Sequence, residues 1–220
     1  MLRKVFNKNH LEKVHFSTKT LYKGQFNATY RGVPAWRCPF DYFIYQMIVN
    51  EVKPDLIIEI GTNYGGGALY LSDLLKLIGK GQVHSIDIVD KKDHPLFENI
   101  EGVKFFYDGW KGYDIESYIK EGMVVLIIDD GSHTYEDVLG SLNKFWKYVS
   151  LNSYFIVEDG IIDELVRKKV IPKSKHSGGP VRAVKEFLSQ NDQFSIDQKW
   201  QNFFGTNATF NVCGYLKRMK

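Results

Sequence analysis

Two short acidic clusters, Asp129-Asp130-Gly131-Ser132-His133 and Glu158-Asp159-Gly160, each follow an apolar run, Val124-Val125-Leu126-Ile127 and Tyr154-Phe155-Ile156-Val157. Short apolar, β-branched runs read as buried strands, so these carboxylates fall where strands leave a sheet. Ligands of open α/β sheets bind at that carboxyl edge. Carboxylates gathered there repel one another unless a cation holds them. Asp130, Glu158 and Asp159 offer an all-oxygen set, which suits Mg²⁺, Mn²⁺ or Ca²⁺. Adjacent strands run roughly 5 Å apart, close enough for their tips to share one ion. Helix capping is the competing task for Asp130 or Ser132, because a helical pattern starts near Tyr135. Asp129 either faces a cofactor or packs. His133, three residues after Asp130, has the side chain that titrates nearest neutrality, and beside an ion it is a natural general base.

A second constellation lies upstream. Glu59-Ile60-Gly61-Thr62-Asn63-Tyr64-Gly65-Gly66-Gly67 joins a strand to a helix. Its glycines allow a sharp turn and bring backbone N–H groups close to a ligand. Asn63 stands at the second glycine of G-x-G-x-x-G, so the dinucleotide pattern is not met. Asp87 ends the next strand, Val83-His84-Ser85-Ile86, and an acid there can accept both hydroxyls of a ribose. The pair predicts an adenosine-containing ligand held by Glu59, Gly61, Thr62, Tyr64, Gly65, Gly66 and Asp87. Glu59 would repel a pyrophosphate but suits the sulfonium and ammonium of S-adenosylmethionine. Asp108-Gly109-Trp110 either borders the adenine or forms an ordinary loop. The implied chemistry is methyl transfer. An ion held by Asp130 acidifies a substrate hydroxyl, His133 takes its proton, and the oxygen attacks the methyl in line.

These residues need a frame to position them. Strands are expected at Leu56–Ile60, Val83–Asp87, Val103–Tyr107, Val124–Asp129 and Ser153–Val157. Helices are expected over Pro39–Val52, Ala68–Leu77, Ile115–Lys120, Tyr135–Tyr148 and Pro180–Ser189, with a loop through His94-Pro95-Leu96. Phe194–Phe203 and Thr209–Leu216 read as two closing strands joined around Gly205-Thr206-Asn207. The alternation implies an α/β fold with a mostly parallel seven-stranded sheet, helices on both faces and an antiparallel C-terminal edge. Residues 1–38 read as an N-terminal cap or oligomerisation segment and 39–220 as one domain. The aromatic character of the cap predicts a homo-oligomer.

Bulk properties narrow the partners. Hydrophobic residues at 44% of 220 suit one well-packed domain. The 29 basic and 26 acidic residues are interspersed, leaving no dense basic block, so nucleic acid is not expected. Cys38 and Cys213 lack metal-ligand spacing and read as free thiols in a reducing compartment. No secretory signal and no apolar run of about 18 residues is visible, so a cytoplasmic protein off the membrane is expected.

Taken in order, Pro54-Asp55-Leu56-Ile57-Ile58-Glu59-Ile60-Gly61 with Gly65-Gly66, Ser85-Ile86-Asp87, Asp130-Gly131-Ser132-His133-Thr134, Val157-Glu158-Asp159 and Gly179-Pro180-Val181-Arg182-Ala183-Val184-Lys185-Glu186-Phe187-Leu188 resemble the cephalosporin hydroxylase family. That family includes rhamnosyl O-methyltransferases and is similar at its metal site to macrolide sugar O-methyltransferases. The resemblance runs from about Gly32 to Lys217. It implies a Rossmann-like class I methyltransferase fold, S-adenosylmethionine as cofactor, and Mg²⁺ (or Mn²⁺) on Asp130, Glu158 and Asp159. It places the base on His133. It also implies an acceptor hydroxyl on a sugar or sugar-bearing natural product, with Trp36, Trp110, Tyr64 and Tyr135 available to frame it. Cofactor contacts at Asp108, Gly109 and Asp129 are expected. Gly67 replaces a serine frequent in the family, and Asp129 an apolar residue. A metal-dependent hydroxylase and a non-catalytic nucleotide-binding module are the alternative readings.

Overall fold

Unbroken apolar runs become the centre of the sheet. The computed structural model describes residues 17–90, 100 and 102–220. Strands β3 (Leu56–Ile60) and β6 (Val125–Asp129) are buried at every position. They pair in parallel, flanked by β4 (Gln82–Ile86) and β5 (Val103–Phe106) on one side and β7 (Tyr154–Val157) on the other. Strands β8 (Phe194–Ile196) and β9 (Tyr215–Arg218) close the far edge antiparallel, giving the order β5-β4-β3-β6-β7-β9-β8.

Alternate residues of each strand face opposite layers. Leu56, Ile58 and Ile60 pack with Val138, Leu142 and Phe145 of α5 (Tyr135–Phe145) and Ala183, Val184 and Phe187 of α7 (Gly179–Gln190). Ile57 packs with Ile44, Tyr45 and Ile48 of α2 (Pro39–Val52) and Ala68, Leu71 and Leu75 of α3 (Gly66–Ile78). The expected doubly covered sheet is therefore present.

Three local expectations need correction. Ile115–Lys120 forms a turn, with Tyr118 and Ile119 N–H donating to the Ile115 carbonyl, and it is preceded by the single helical turn α4 (Gly109–Gly112). Asp114 ends the helical run there, its side chain accepting from the Glu116 N–H and the Ser117 hydroxyl and so holding the following residues in a turn. Phe194–Phe203 is extended only through Ile196; Asp197 then caps the short helix α8 (Gln198–Gln201). Residues Thr209–Gly214 are turns rather than strand, with Cys213 at φ 61°, so Cys213 lies outside β9. The loop through His94-Pro95-Leu96 lies outside the described residues.

The N-terminal segment is built onto the domain. Helix α1 (Thr18–Gln25) is capped by Ser17, and β1 (Thr29–Tyr30) and β2 (Val33–Pro34) form a hairpin. Tyr30 and Arg31 both reach Asp73 on α3, at 3.1 Å. The chain leaving β2 then crosses the start of α3 so closely that a Cβ on Gly66 would lie 2.3 Å from the Pro34 carbonyl oxygen. Only glycine admits that crossing, and it delivers Trp36, Arg37 and Cys38 to the sheet edge.

Candidate active site

Strand register aligns the functional tips. Ile60 sits opposite Asp129, the Asp130 N–H donates to the Ile60 carbonyl at 2.8 Å, and the Glu158 N–H donates to the Asp129 carbonyl at 2.9 Å. Gly61, Asp130 and Glu158 therefore emerge side by side. Gly61 has φ 100°, and a Cβ there would lie 2.0 Å from the Asp130 carbonyl oxygen, so the turn out of β3 and the end of β6 touch through backbone.

These tips line a cavity of about 690 Å³, within the roughly 300–1,000 Å³ common for small-molecule sites. Ile60, Gly61, Asn63, Asp87, Asp108, Gly109, Trp110, Asp129, Asp130, His133, Glu158 and Asp159 border it, joined by Tyr22, Phe26, Trp36 and Arg37 from the N-terminal segment.

Asp130, His133 and Asp159 converge, each with a donor atom within 4.8 Å of the others'. His133 Nε2 stands 3.8 Å from Asp130 Oδ1 and 3.5 Å from Asp159 Oδ2. His133 (φ 54°) and Asp159 (φ 57°) both hold left-handed backbone, which costs a non-glycine residue about 1–2 kcal/mol. Strain of this kind collects at sites where orientation matters. Capping of α5 falls to Thr134, whose side chain accepts from the Asp137 N–H, so Asp130 is free of that task. Burial and the charge of Glu158 push the Asp130 carboxyl well above the usual range, while Arg37 draws it back.

Glu158 faces a different neighbourhood. Its Oε2 accepts from Arg37 Nε at 3.0 Å, and its Oε1 lies 2.7 Å from Arg37 Nη2 and accepts from the Tyr45 hydroxyl at 2.7 Å. Arg37, only 4% exposed, also places Nη2 3.1 Å from Asp130 Oδ2 and 3.3 Å from Glu59 Oε1. Its guanidinium stands over the rings of Tyr42 and Tyr45, at 5.3 and 5.0 Å. Sequence reasoning missed this residue. Glu59, expected to face a cationic cofactor, lies beside the chain's own Arg37. Burial raises the Glu59 carboxyl to about 7 against the pull of Arg37, and Ser85 donates to its Oε2.

The glycine turn is organised by Asp87. Its Oδ2 accepts from the Thr62 and Asn63 N–H groups, and its Oδ1 from those of Ile88 and Val89. Those bonds occupy about all four acceptor positions of a carboxylate. Asp87 thus pins the turn to the loop after β4, and a ribose would have to displace part of that set. Thr62 is buried against Ser85, with their hydroxyls 2.8 Å apart, while Gly65 caps α3 and Tyr64 packs edge-on against Trp36. Thr62, Tyr64 and Gly66 border a small recess beside the main cavity. Asp129 is a brace: burial raises it to about 6, and it accepts from the Ser141 hydroxyl and the Gly131 N–H. Tyr135 is turned to Glu186 and Arg182.

A mostly parallel sheet in this order, with an antiparallel edge, is the Rossmann-like class I methyltransferase fold. The rhamnosyl O-methyltransferase/CmcI family model matches residues 22–219, so the chain belongs to that family and is an O-methyltransferase. It is 29% identical over 199 residues to a rhamnosyl O-methyltransferase of Mycobacterium tuberculosis, covering 86% of this chain and 78% of the relative. A rhamnosyl O-methyltransferase of Mycobacterium leprae is 26% identical, with 90% and 87% covered. Among solved structures, CmcI with S-adenosylhomocysteine superposes at TM-score 0.62 and 22% identity over 88% of this chain and 83% of that one. CmcI with Mg and S-adenosylmethionine gives 0.61 and 21%, over 89% and 78%.

Proposed function

We propose that the protein transfers the methyl group of S-adenosylmethionine to a hydroxyl of a sugar or sugar-bearing natural product, with a divalent ion, Mg²⁺ or Mn²⁺, at the acidic centre. The observation that carries this reading is the convergence of Asp130, His133 and Asp159 in the cavity that the Gly61 turn also borders. Its two carboxylates supply the hard oxygen donors that such an ion takes, and the imidazole stands beside them. Relatives named for rhamnosyl methylation and a CmcI structure with Mg support the substrate class and the metal.

Asp130 and Asp159 would hold the ion, with Glu158 behind Asp130. When bound, the ion supplies charge stabilisation for an ionising hydroxyl. His133 Nε2, 3.8 Å from Asp130 Oδ1 and 3.5 Å from Asp159 Oδ2, is the group placed to accept the hydroxyl proton. Gly61, Asn63 and the loop pinned by Asp87 border the cofactor side. Asp108 and Gly109 lie on the same wall. Ile60, Ile86 and Trp110 give that cavity apolar surface that excludes water.

An iron hydroxylase of the two-histidine type is not favoured. Among the described residues, His176 has its ring 6.4 Å from that of His133, but the cluster that can hold an ion is Asp130, His133 and Asp159, with one imidazole. The test is transfer of labelled methyl to a panel of rhamnosides, other glycosides and catechols. The proposal expects glycoside methylation that falls at least 100-fold in Asp130→Asn, Asp159→Asn and His133→Ala while S-adenosylhomocysteine still binds. Full activity in all three variants would overturn it.

A further inference from the structure

Arg37 belongs to neither the glycine turn nor the acidic strand tips, yet it joins them. It lies in the link between β2 and α2 and meets acids 22, 93 and 121 residues away, at the ends of β3, β6 and β7. Its contact with Glu158 is two-pronged, through Nε at 3.0 Å and Nη2 at 2.7 Å. A planar guanidinium makes such a fork and an ammonium does not. Tyr45 holds the same carboxylate from the other side at 2.7 Å, and Asn211 Nδ2 donates to Tyr45 at 3.0 Å. Both oxygens of Glu158 are therefore engaged by the chain itself. Asp130 is divided: Oδ2 faces Arg37 at 3.1 Å, and Oδ1 faces His133 at 3.8 Å.

The fit is close on every side. A Cβ on Gly67 would lie 2.6 Å from Glu59 Oε1 and 3.1 Å from Arg37 Nη1. The glycine at 67 is what lets this ion pair close against the start of α3.

We propose that Arg37 is a built-in competitor for the divalent ion, holding Glu158 and one oxygen of Asp130 so that an ion must draw them away from the guanidinium to acquire both as ligands. Asp159 and Asp130 Oδ1 make the resident ion site, and Glu158 joins only at the expense of its Arg37 fork. Arg37 thereby sets how tightly the ion is held and ties ion loading to the segment that carries Trp36 to the cavity wall. It is a positioning residue. The inference rests on the proposed metal site and says which residue tunes it.

The test is Mn²⁺ affinity, read by electron paramagnetic resonance of free Mn²⁺ on the full chain without substrate. Arg37→Gln is expected to bind Mn²⁺ at least tenfold more tightly than the wild type, because two carboxylates lose their cation. Arg37→Lys keeps the charge but not the fork; it is the variant that reads the effect if Arg37→Gln fails to fold, and it should bind at least threefold more tightly. In a Glu158→Gln background, the Arg37→Gln gain should shrink to under threefold, since Glu158 is the ligand released. Unchanged or weaker Mn²⁺ binding in Arg37→Lys and Arg37→Gln would overturn the competition while leaving the metal site standing. Mn²⁺ binding that is the same in wild type, Arg37→Gln and Asp130→Asn/Asp159→Asn would overturn the metal site itself.

Discussion

Replacement of Gly61 by alanine should cost more than its backbone conformation alone explains. A Cβ at position 61 would stand 2.0 Å from the Asp130 carbonyl oxygen and 2.6 Å from its carbonyl carbon. Reaching an ordinary contact of 3.4 Å requires a retreat of 1.4 Å, the difference between those two distances. Both partners are backbone, so no side chain can swing aside. Overpacking of this sort costs about 1–3 kcal/mol, and φ 100° adds about 1–2 kcal/mol. The sum is about 2–5 kcal/mol. Gly79 is the matched control: its φ is 79° but nothing lies within 4 Å of its Cβ, so alanine there costs only the backbone part. Urea unfolding of the two variants should differ by about 1–3 kcal/mol. The retreat also moves Asp130, and a misplacement of about 1 Å at a reacting centre lowers rates on the order of 100-fold. Gly61→Ala should thus lose methyl transfer out of proportion to its stability, while Gly79→Ala keeps it. Equal stability of the two variants, with activity retained in Gly61→Ala, would refute the close approach as the reason for glycine.

Other outcomes follow from single contacts. Asp87→Ala leaves the Thr62, Asn63, Ile88 and Val89 N–H groups without their acceptor; calorimetry should show S-adenosylhomocysteine binding weakened at least tenfold, and a change under threefold would contradict that role. Thr134→Ala removes the cap of α5 and should cost about 1 kcal/mol in urea unfolding. Asp41, buried under the site with Thr209, Tyr215 and the Phe210 N–H, is raised from 3.8 to about 6 by burial. Because its folded pKa lies above the unfolded one, the folded state binds more protons between those values, so stability falls as pH rises from about 4 to 6. The full difference is about 3 kcal/mol. Thermal melts should therefore show a loss of stability across that window that Asp41→Asn lessens; an unchanged slope in the variant would contradict it.

The core of the fold was legible because burial on both faces leaves a plain trace. Leu56–Ile60 and Val125–Asp129 are apolar at almost every step, and the acids follow where each run stops. Asp130, Glu158 and Asp159 could be grouped, with His133 beside them, for the same reason; of these Asp130, His133 and Asp159 converge, and Glu158 turns to Arg37. Arg37 could not. It stands in an irregular link with no periodicity, and its partners are remote in sequence. A buried arginine and an exposed one look alike in a sequence; only the crossing at Gly66 decides between them. The contact of Glu59 with Arg37 was hidden in the same way. At the C-terminal edge, aromatic and β-branched residues suggested long strands, yet Asp197 caps α8 and the turns at Thr209–Gly214 serve the buried Asp41 network. Tertiary hydrogen bonds there outweigh strand propensity.

We propose that this chain methylates a sugar hydroxyl through a divalent ion held at Asp130 and Asp159. The most direct measurement is the rate of labelled-methyl transfer from S-adenosylmethionine to a rhamnoside before chelation, after EDTA, and after Mg²⁺ is restored. Transfer should fall at least 100-fold in EDTA and recover when Mg²⁺ is restored. Rhamnoside methylation that proceeds undiminished in EDTA would contradict it.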